Sequence, residues 1–242
     1  EALNSAQLTG AILTEVQTYG KGFVLCFDRG FCIYVHLQLY GVWKTGKNTS
    51  KRNSRRTLRL LLQTETHYAA LYSATDISLL TPSDVPHHPY IQKLGPDILS
   101  ATYNASHISR RLASKTLSRR ALGGVLLDQK AFAGIGNYLR SEILFVAGIH
   151  PNRKARDLTK GQIGKLARAT LKISQRSYAL RGVTIPERRY KRLRKKGLSY
   201  GKARFFVFSR ACQPCHICNT KIQRSTANSR RIYTCAGCQP DD

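Results

Sequence analysis

Acidic residues are scarce in this chain. Thirteen Asp and Glu stand against forty Lys and Arg, a formal net charge of +27 with a pI near 10.3. A surface so unbalanced repels itself, and its charges are clustered, which points to a polyanionic partner rather than a merely soluble basic protein. Long apolar runs are missing as well: none approaches the roughly 18 residues of a membrane helix. No amphipathic membrane-surface helix stands out either, so nucleic acid is the favoured polyanion and no membrane is expected. The opening "EALNSAQLTG" has neither a basic head nor an apolar stretch, so no signal peptide is visible. Met is absent altogether, which suggests that an N-terminal segment is missing.

Seven cysteines are present, an odd number that argues for a reducing compartment rather than a disulfide scaffold. Cys26 and Cys32 lie in apolar runs and are expected as buried thiols. Cys215, Cys218, Cys235 and Cys238 form two Cys-x-x-Cys pairs around a sixteen-residue loop with no acid in it. Four thiolates in this spacing complete a tetrahedral zinc site and leave no open coordination position, so one structural Zn²⁺ is expected. The loop between the pairs carries Lys221, Arg224, Arg230 and Arg231.

The fold class expected is α+β. The first ninety residues read as short strands in an antiparallel sandwich or barrel. "GFVLCF" and "FCIYVHL" flank a "DRG" hairpin signal, "TLRLLLQTE" and "HYAALYSA" form a second pair, and the basic "KTGKNTSKRNSRR" between the two pairs reads as an exposed loop. Four prolines in "TPSDVPHHPYIQKLGPD" mark a boundary. The period then becomes helical, through "ISRRLASK", "ALGGVLLDQKAFA" and "NYLRSEILFVAG". Thr159 and Gln162 form a capping-box pattern ahead of a face of Ile163, Leu166, Ala167, Thr170 and Leu171. The domains expected are residues 1–95, 96–200 and 201–242. Residues 183–200, with seven basic side chains in the nine positions of "RRYKRLRKK", read either as a flexible loop that touches a polyanion or as a solvated charge run.

Two further stretches carry chemistry. In "AGIGNYLRSE", Gly134 and Gly136 suit a tight interhelical turn with positive φ. Asn137 then starts a helix whose free N–H groups suit a phosphate. In "VHLQLYGVW", Gln38, Leu39 and Tyr40 end an apolar strand and could wedge into a base stack, or pack as core or rim.

Together "YGKG", "QLYGVW", "LYSATDISLLTP", "HPYIQKLGPDIL", "LLDQKAFAGIGNYLRSEILFVAGIHP" and the four-cysteine finger resemble the formamidopyrimidine-DNA glycosylase and endonuclease VIII family, and its endonuclease VIII branch most closely. The resemblance runs from about Gln7 to Gln239. It implies a β-sandwich, a helix–two-turn–helix domain and a β-hairpin zinc finger. It also implies base excision repair of oxidised bases, chiefly pyrimidines, in damaged double-stranded DNA. An amine displaces the flipped base as a Schiff base, and β- and δ-elimination follow. By the same resemblance, Lys21 is a catalytic proton donor and Arg230 the finger arginine of δ-elimination. Asn137 binds phosphate, and Gln38, Leu39 and Tyr40 fill the gap left by the flipped nucleotide. Lys93 stands where an arginine usually contacts DNA; it keeps the charge but loses the bidentate fork. A bacterial, cytoplasmic, nucleoid-associated monomer is expected.

The resemblance also implies an N-terminal Pro-Glu pair with proline as nucleophile, and neither opens this sequence. The expectation is that the first helix and strand are lacking, and that the chain as given binds DNA with little or no glycosylase activity. The alternative reading is a non-catalytic DNA- or RNA-binding zinc protein.

Overall fold

The computed structural model describes residues 8–49 and 54–241. Part of the expected basic loop, at residues 50–53, lies outside the described residues, as does the start of the chain, residues 1–7. The chain divides into two compact units, residues 1–93 and 94–242.

Among the described residues, the first unit holds seven strands in two antiparallel sheets: β1 (Leu13–Tyr19), β2 (Gly22–Phe27), β3 (Phe31–His36) and β7 (Asp76–Leu80) in the order β1-β2-β3-β7, and β4 (Val42–Lys47), β6 (His67–Tyr72) and β5 (Leu58–Gln63) in the order β4-β6-β5. Leu25, Ile33 and Val35 from one sheet meet Leu60 and Leu71 from the other in a shared core. The alternate residues Val24, Cys32 and Tyr34 are buried on the opposite face with Val85. Strands β2 and β3 are therefore covered on both sides, which is why they read as continuous apolar runs instead of alternating ones. Each fully buried aliphatic side chain there contributes about 1.5–3 kcal/mol. Strand β4 corrects the sequence expectation: Lys44–Lys47, assigned to a loop, pair with His67–Ala70 of β6. After β7, a 3₁₀ turn (Val85–His87) and the short helix α1 (Pro89–Gln92) close the unit.

The second unit contains α2 (Ala105–Leu112), α3 (Leu122–Val125), α4 (Asn137–Ala147), α5 (Lys160–Ala179), α6 (Glu187–Lys195), α7 (Tyr200–Ala203) and the hairpin β8 (Gln223–Ala227) to β9 (Arg230–Thr234). The Thr159 and Gln162 capping box at the start of α5 is formed in both directions. Leu166, Ala167 and Thr170 of the predicted face are buried, and Ile163 and Leu171 pack against the same core. Helix α3 is only one turn, shorter than "ALGGVLLDQKAFA" suggested. Gly123 and Gly124 propagate helix poorly, and Asp128 Oδ1 accepts from Lys130 N to form a turn instead. The hairpin shares its core with the helices: Ile232 belongs to the central cluster, while Tyr233 and Cys235 join Phe145, Val183 and Ile185.

The flexible loop expected at 183–200 is instead mostly helix. Tyr190 and Leu193, three apart, pack α6 against that second cluster, and Glu187 pairs with Lys191 at 2.7 Å. Arg and Lys are good helix formers once one face is docked.

Candidate nucleic-acid interface and metal centre

In the first unit, Lys21 occupies the tight turn between β1 and β2, where Gly20 takes φ +59°. Its backbone N–H donates to Tyr90 Oη at 3.2 Å, and the residue is exposed. Gly22 pairs with His36, so the Lys21 turn and the segment leaving β3 share one end of the β2–β3 hairpin. Burial, helped by the Lys21 charge and opposed by Asp76, lowers the His36 pKa. The neutral ring accepts at Nδ1 from Gln38 N–H, 3.0 Å away.

Gln38 itself sits at φ +49°, the left-handed region that a non-glycine residue seldom adopts. Its Oε1 accepts from Thr75 Oγ1 at 2.9 Å, Gly41 N–H donates to Leu37 O at 2.8 Å, and Arg56 Nη1 donates to Tyr40 O at 2.6 Å. Gly41 is required by the close approach, because a Cβ there would lie 2.5 Å from the Leu37 carbonyl oxygen. The turn so held leaves Leu39 72% and Tyr40 66% exposed, two large apolar side chains pointing at solvent from a fixed backbone. Lys93, at the end of α1, is exposed and lies apart from this turn in sequence; its backbone N–H donates to Tyr90 O.

In the second unit, the glycine turn leads into α4. Gly134 takes φ +90°, as expected, but Gly136 is extended at φ −110° and serves as N-cap, so only one of the two glycines needs positive φ. Gln129 organises this turn: its Oε1 accepts from Gly134 N–H, and its Nε2 donates to Leu127 O and Ile135 O.

Asn137 opens α4 and reaches the hairpin, where Nδ2 donates to Arg231 O at 2.8 Å. One turn on, Arg140 is wholly buried. Its guanidinium donates to Asn137 Oδ1 at 2.6 Å, to Gly123 O and Ala227 O at 3.2 Å, and to Arg231 O at 3.3 Å. Burial, with the Arg230 charge adding to it, lowers the Arg140 pKa to about 10, still fully charged at neutral pH. Glu142 completes the set, buried and accepting from Thr184 Oγ1 and from the N–H groups of Phe206, Val207 and Phe208. Burial raises its pKa and those hydrogen bonds pull it back. Arg140 and Glu142 escaped the sequence reading. The signal was the spacing Asn137, Arg140, Glu142 in a helix otherwise apolar, two charges where a core face should have none.

The hairpin tip is a two-residue turn with both Asn228 (φ +53°) and Ser229 (φ +57°) left-handed, the geometry that matches strand twist. Arg230 and Arg231 follow, both exposed. Arg231 is more than a second surface charge, because its carbonyl is where Asn137 and Arg140 grip the strand.

The sulfurs of Cys215, Cys218, Cys235 and Cys238 all lie within 4.8 Å of one another. The 218–235, 218–238 and 215–238 separations are 3.3, 3.4 and 3.9 Å, close to the roughly 3.8 Å edge of a zinc–thiolate tetrahedron with 2.3 Å bonds. The four thiolates thus fit one structural Zn²⁺, and Cys212 is not among them.

Residues 94–188 match the formamidopyrimidine-DNA glycosylase H2TH domain. The chain is 40% identical over 234 residues to Endonuclease 8 of Escherichia coli (strain K12 / DH10B), spanning 97% of this chain and 86% of that protein. It belongs to the formamidopyrimidine-DNA glycosylase and endonuclease VIII family. Endonuclease 8 of Shigella sonnei (strain Ss046) is 39% identical over the same spans. Among solved structures, Lactococcus lactis Fpg (MutM) with a FAPY-dG-containing DNA superposes with a TM-score of 0.81 at 20% identity, covering 98% of this chain and 85% of that one. MutM with carbocyclic 8-oxo-G-containing DNA gives 0.79 at 22%, covering 98% and 84%. The fold of this family member is therefore the one expected: antiparallel sheets, a helix–two-turn–helix region and a four-cysteine hairpin.

Proposed function

We propose that this chain is a base excision repair DNA glycosylase with AP lyase activity, acting on oxidised bases, chiefly pyrimidines, in damaged double-stranded DNA. Its identity to Endonuclease 8 along almost the whole chain carries this reading, and the disposition of polar groups supports it. Lys21 supplies an ammonium proton from a glycine-flanked turn, as the elimination steps need. Gln38, Leu39 and Tyr40 occupy the space that a flipped nucleotide leaves, held ready by a restrained turn that needs little ordering on binding. Arg230 grips a phosphate and assists δ-elimination. Asn137 still has one amide hydrogen for a phosphate after serving Arg231 O, and the N-terminus of α4 favours that anion. Lys93 and the exposed cations of α6 add backbone contacts. The working compartment on this reading is the bacterial cytoplasm, at the nucleoid.

Borohydride trapping of the protein in its natural form, on duplex DNA with an abasic site, tests the chemistry. A covalent adduct supports an amine nucleophile; salt-sensitive binding with no adduct favours the non-catalytic nucleic-acid-binding reading. Arg230→Ala tests the phosphate contact: the slope of log affinity against log salt should fall by about one unit. An unchanged slope removes Arg230 from the interface.

A further inference from the structure

Cys26 of β2 and Cys32 of β3 stand directly opposite one another, and their sulfurs are 2.8 Å apart. Directly opposed residues of an antiparallel pair share a face. Either Cα separation such a pair allows, about 4.5 or 5.5 Å, falls within the roughly 4.4–6.8 Å that a disulfide spans. The register therefore holds the two residues within disulfide range of each other. Both residues lie in the first unit, and neither belongs to the four-cysteine group.

The two thiols are not equivalent. Cys32 is completely buried with Val24, Tyr34 and Val85. Its thiol is pushed up to about 12 by burial, then by the hydrogen bond and charge of Cys26, and by Glu15. Cys26 is half-buried at the rim of the same cluster. Glu15 pairs with Cys26 on the other side, so the row across the sheet runs Glu15, Cys26, Cys32, Leu80. The accessible sulfur thus backs onto a sheltered one at bonding range, the arrangement of an attacking thiol with its resolving partner.

We propose that Cys26 and Cys32 form a redox modification site, a dithiol that hydroperoxides convert to a cross-strand disulfide. The Cys26 sulfur attacks a peroxide oxygen and the O–O bond breaks. The leaving oxygen takes the thiol proton and departs as water or alcohol, leaving Cys26 as sulfenic acid. The Cys32 sulfur then attacks the Cys26 sulfur and the S–O bond breaks, with hydroxide leaving as water with the Cys32 proton. Two thiols lose two electrons and two hydrogens, and the peroxide is reduced by the same two electrons. Burial of Cys32 keeps its own reaction with peroxide slow and protects the finished disulfide from small thiols. The bond ties together the two strands whose far end carries Lys21 and the Gln38 turn.

The sequence supplies a direct assay. Trypsin cuts after Lys21, Arg29 and Lys44, so Cys26 and Cys32 leave on separate peptides, 22–29 and 30–44. The full zinc-loaded chain is exposed to hydrogen peroxide until the exposed Cys212 is oxidised, free thiols are alkylated, and the digest is weighed without reductant. The expected product is the two peptides joined, less two hydrogens, and separated again by dithiothreitol. In Cys32→Ser, Cys26 should instead accumulate as a sulfenic acid that dimedone traps. Recovery of both peptides fully alkylated overturns the proposal. So does Cys26 as sulfinic or sulfonic acid with Cys32 still free.

Discussion

Two of the turns that put non-glycine residues in the left-handed region, one in each unit, are held in opposite ways. The Gln38 turn of the first unit is restrained from the surface, by His36, Thr75 and Arg56. The Asn228–Ser229 tip of the second is backed by a wholly buried arginine and by the four-cysteine cluster behind it. The first presents apolar side chains, which gain only when something covers them. The second presents cations, which act at a distance and benefit from a rigid mount. On the proposed function the first would be a wedge, which bonds open to water can hold, and the second a phosphate grip, which is better fixed from inside.

The largest effect expected on this contrast comes from the metal. Structural zinc contributes about 10–16 kcal/mol in small finger peptides. Chelation, or Cys235→Ser, should therefore release the β8–β9 hairpin, seen as loss of bound zinc and rapid exchange of its amides, with reduced DNA affinity. Persistent amide protection after zinc removal would show that the helices alone hold the hairpin. Next is Arg140→Ala, which takes the guanidinium donor from Gly123 O and Ala227 O and leaves Arg231 O with Asn137 Nδ2 alone. A loss of about 3–4 kcal/mol in urea unfolding is expected; a loss below about 1 kcal/mol would mean that water replaces the guanidinium.

Smaller again is a pH effect on the first turn. The folded-state pKa of His36 lies below the ordinary 6.5, so the unfolded chain takes up the proton first. Its contribution is present above 6.5 and is lost as pH falls through the depressed folded value. Protonation also removes the acceptor for Gln38 N–H, so the protection of that amide, its exchange measured against the intrinsic rate at each pH, should fall on acidification, and His36→Asn should flatten the response. The smallest effect on stability belongs to Leu39→Ala and Tyr40→Ala, within about 0.5 kcal/mol because both side chains are already in water. Their effect should appear instead as a larger loss of affinity for lesion-containing duplex than for undamaged duplex. Equal loss on both would reduce the pair to general contacts.

How much of this was legible in the residues differs between the same two regions. Strand pairs β2–β3 and β5–β6, the α5 capping box and the cysteine spacing follow from local chemistry, which is why reading them in order succeeds. Strand β4 was hidden because its Lys44–Lys47 half is polar, and an edge strand needs no apolar run. Helix α6 was hidden because charge density reads as loop unless the docking of Tyr190 and Leu193 is known. Arg140 and Glu142 were hidden for a related reason: most of their partners are backbone groups, up to 91 residues away in the chain, and no composition records a main-chain carbonyl or N–H.

That last fact has a consequence for how the hairpin can change. Every hydrogen bond that Asn137 and Arg140 make to it ends on a main-chain oxygen. The socket recognises the path of the strand and is blind to what the strand carries. Side chains at the tip can therefore be exchanged, one charge or shape for another, without loosening the mount that aims them. Whatever the tip carries, its aim is set by the main chain behind it.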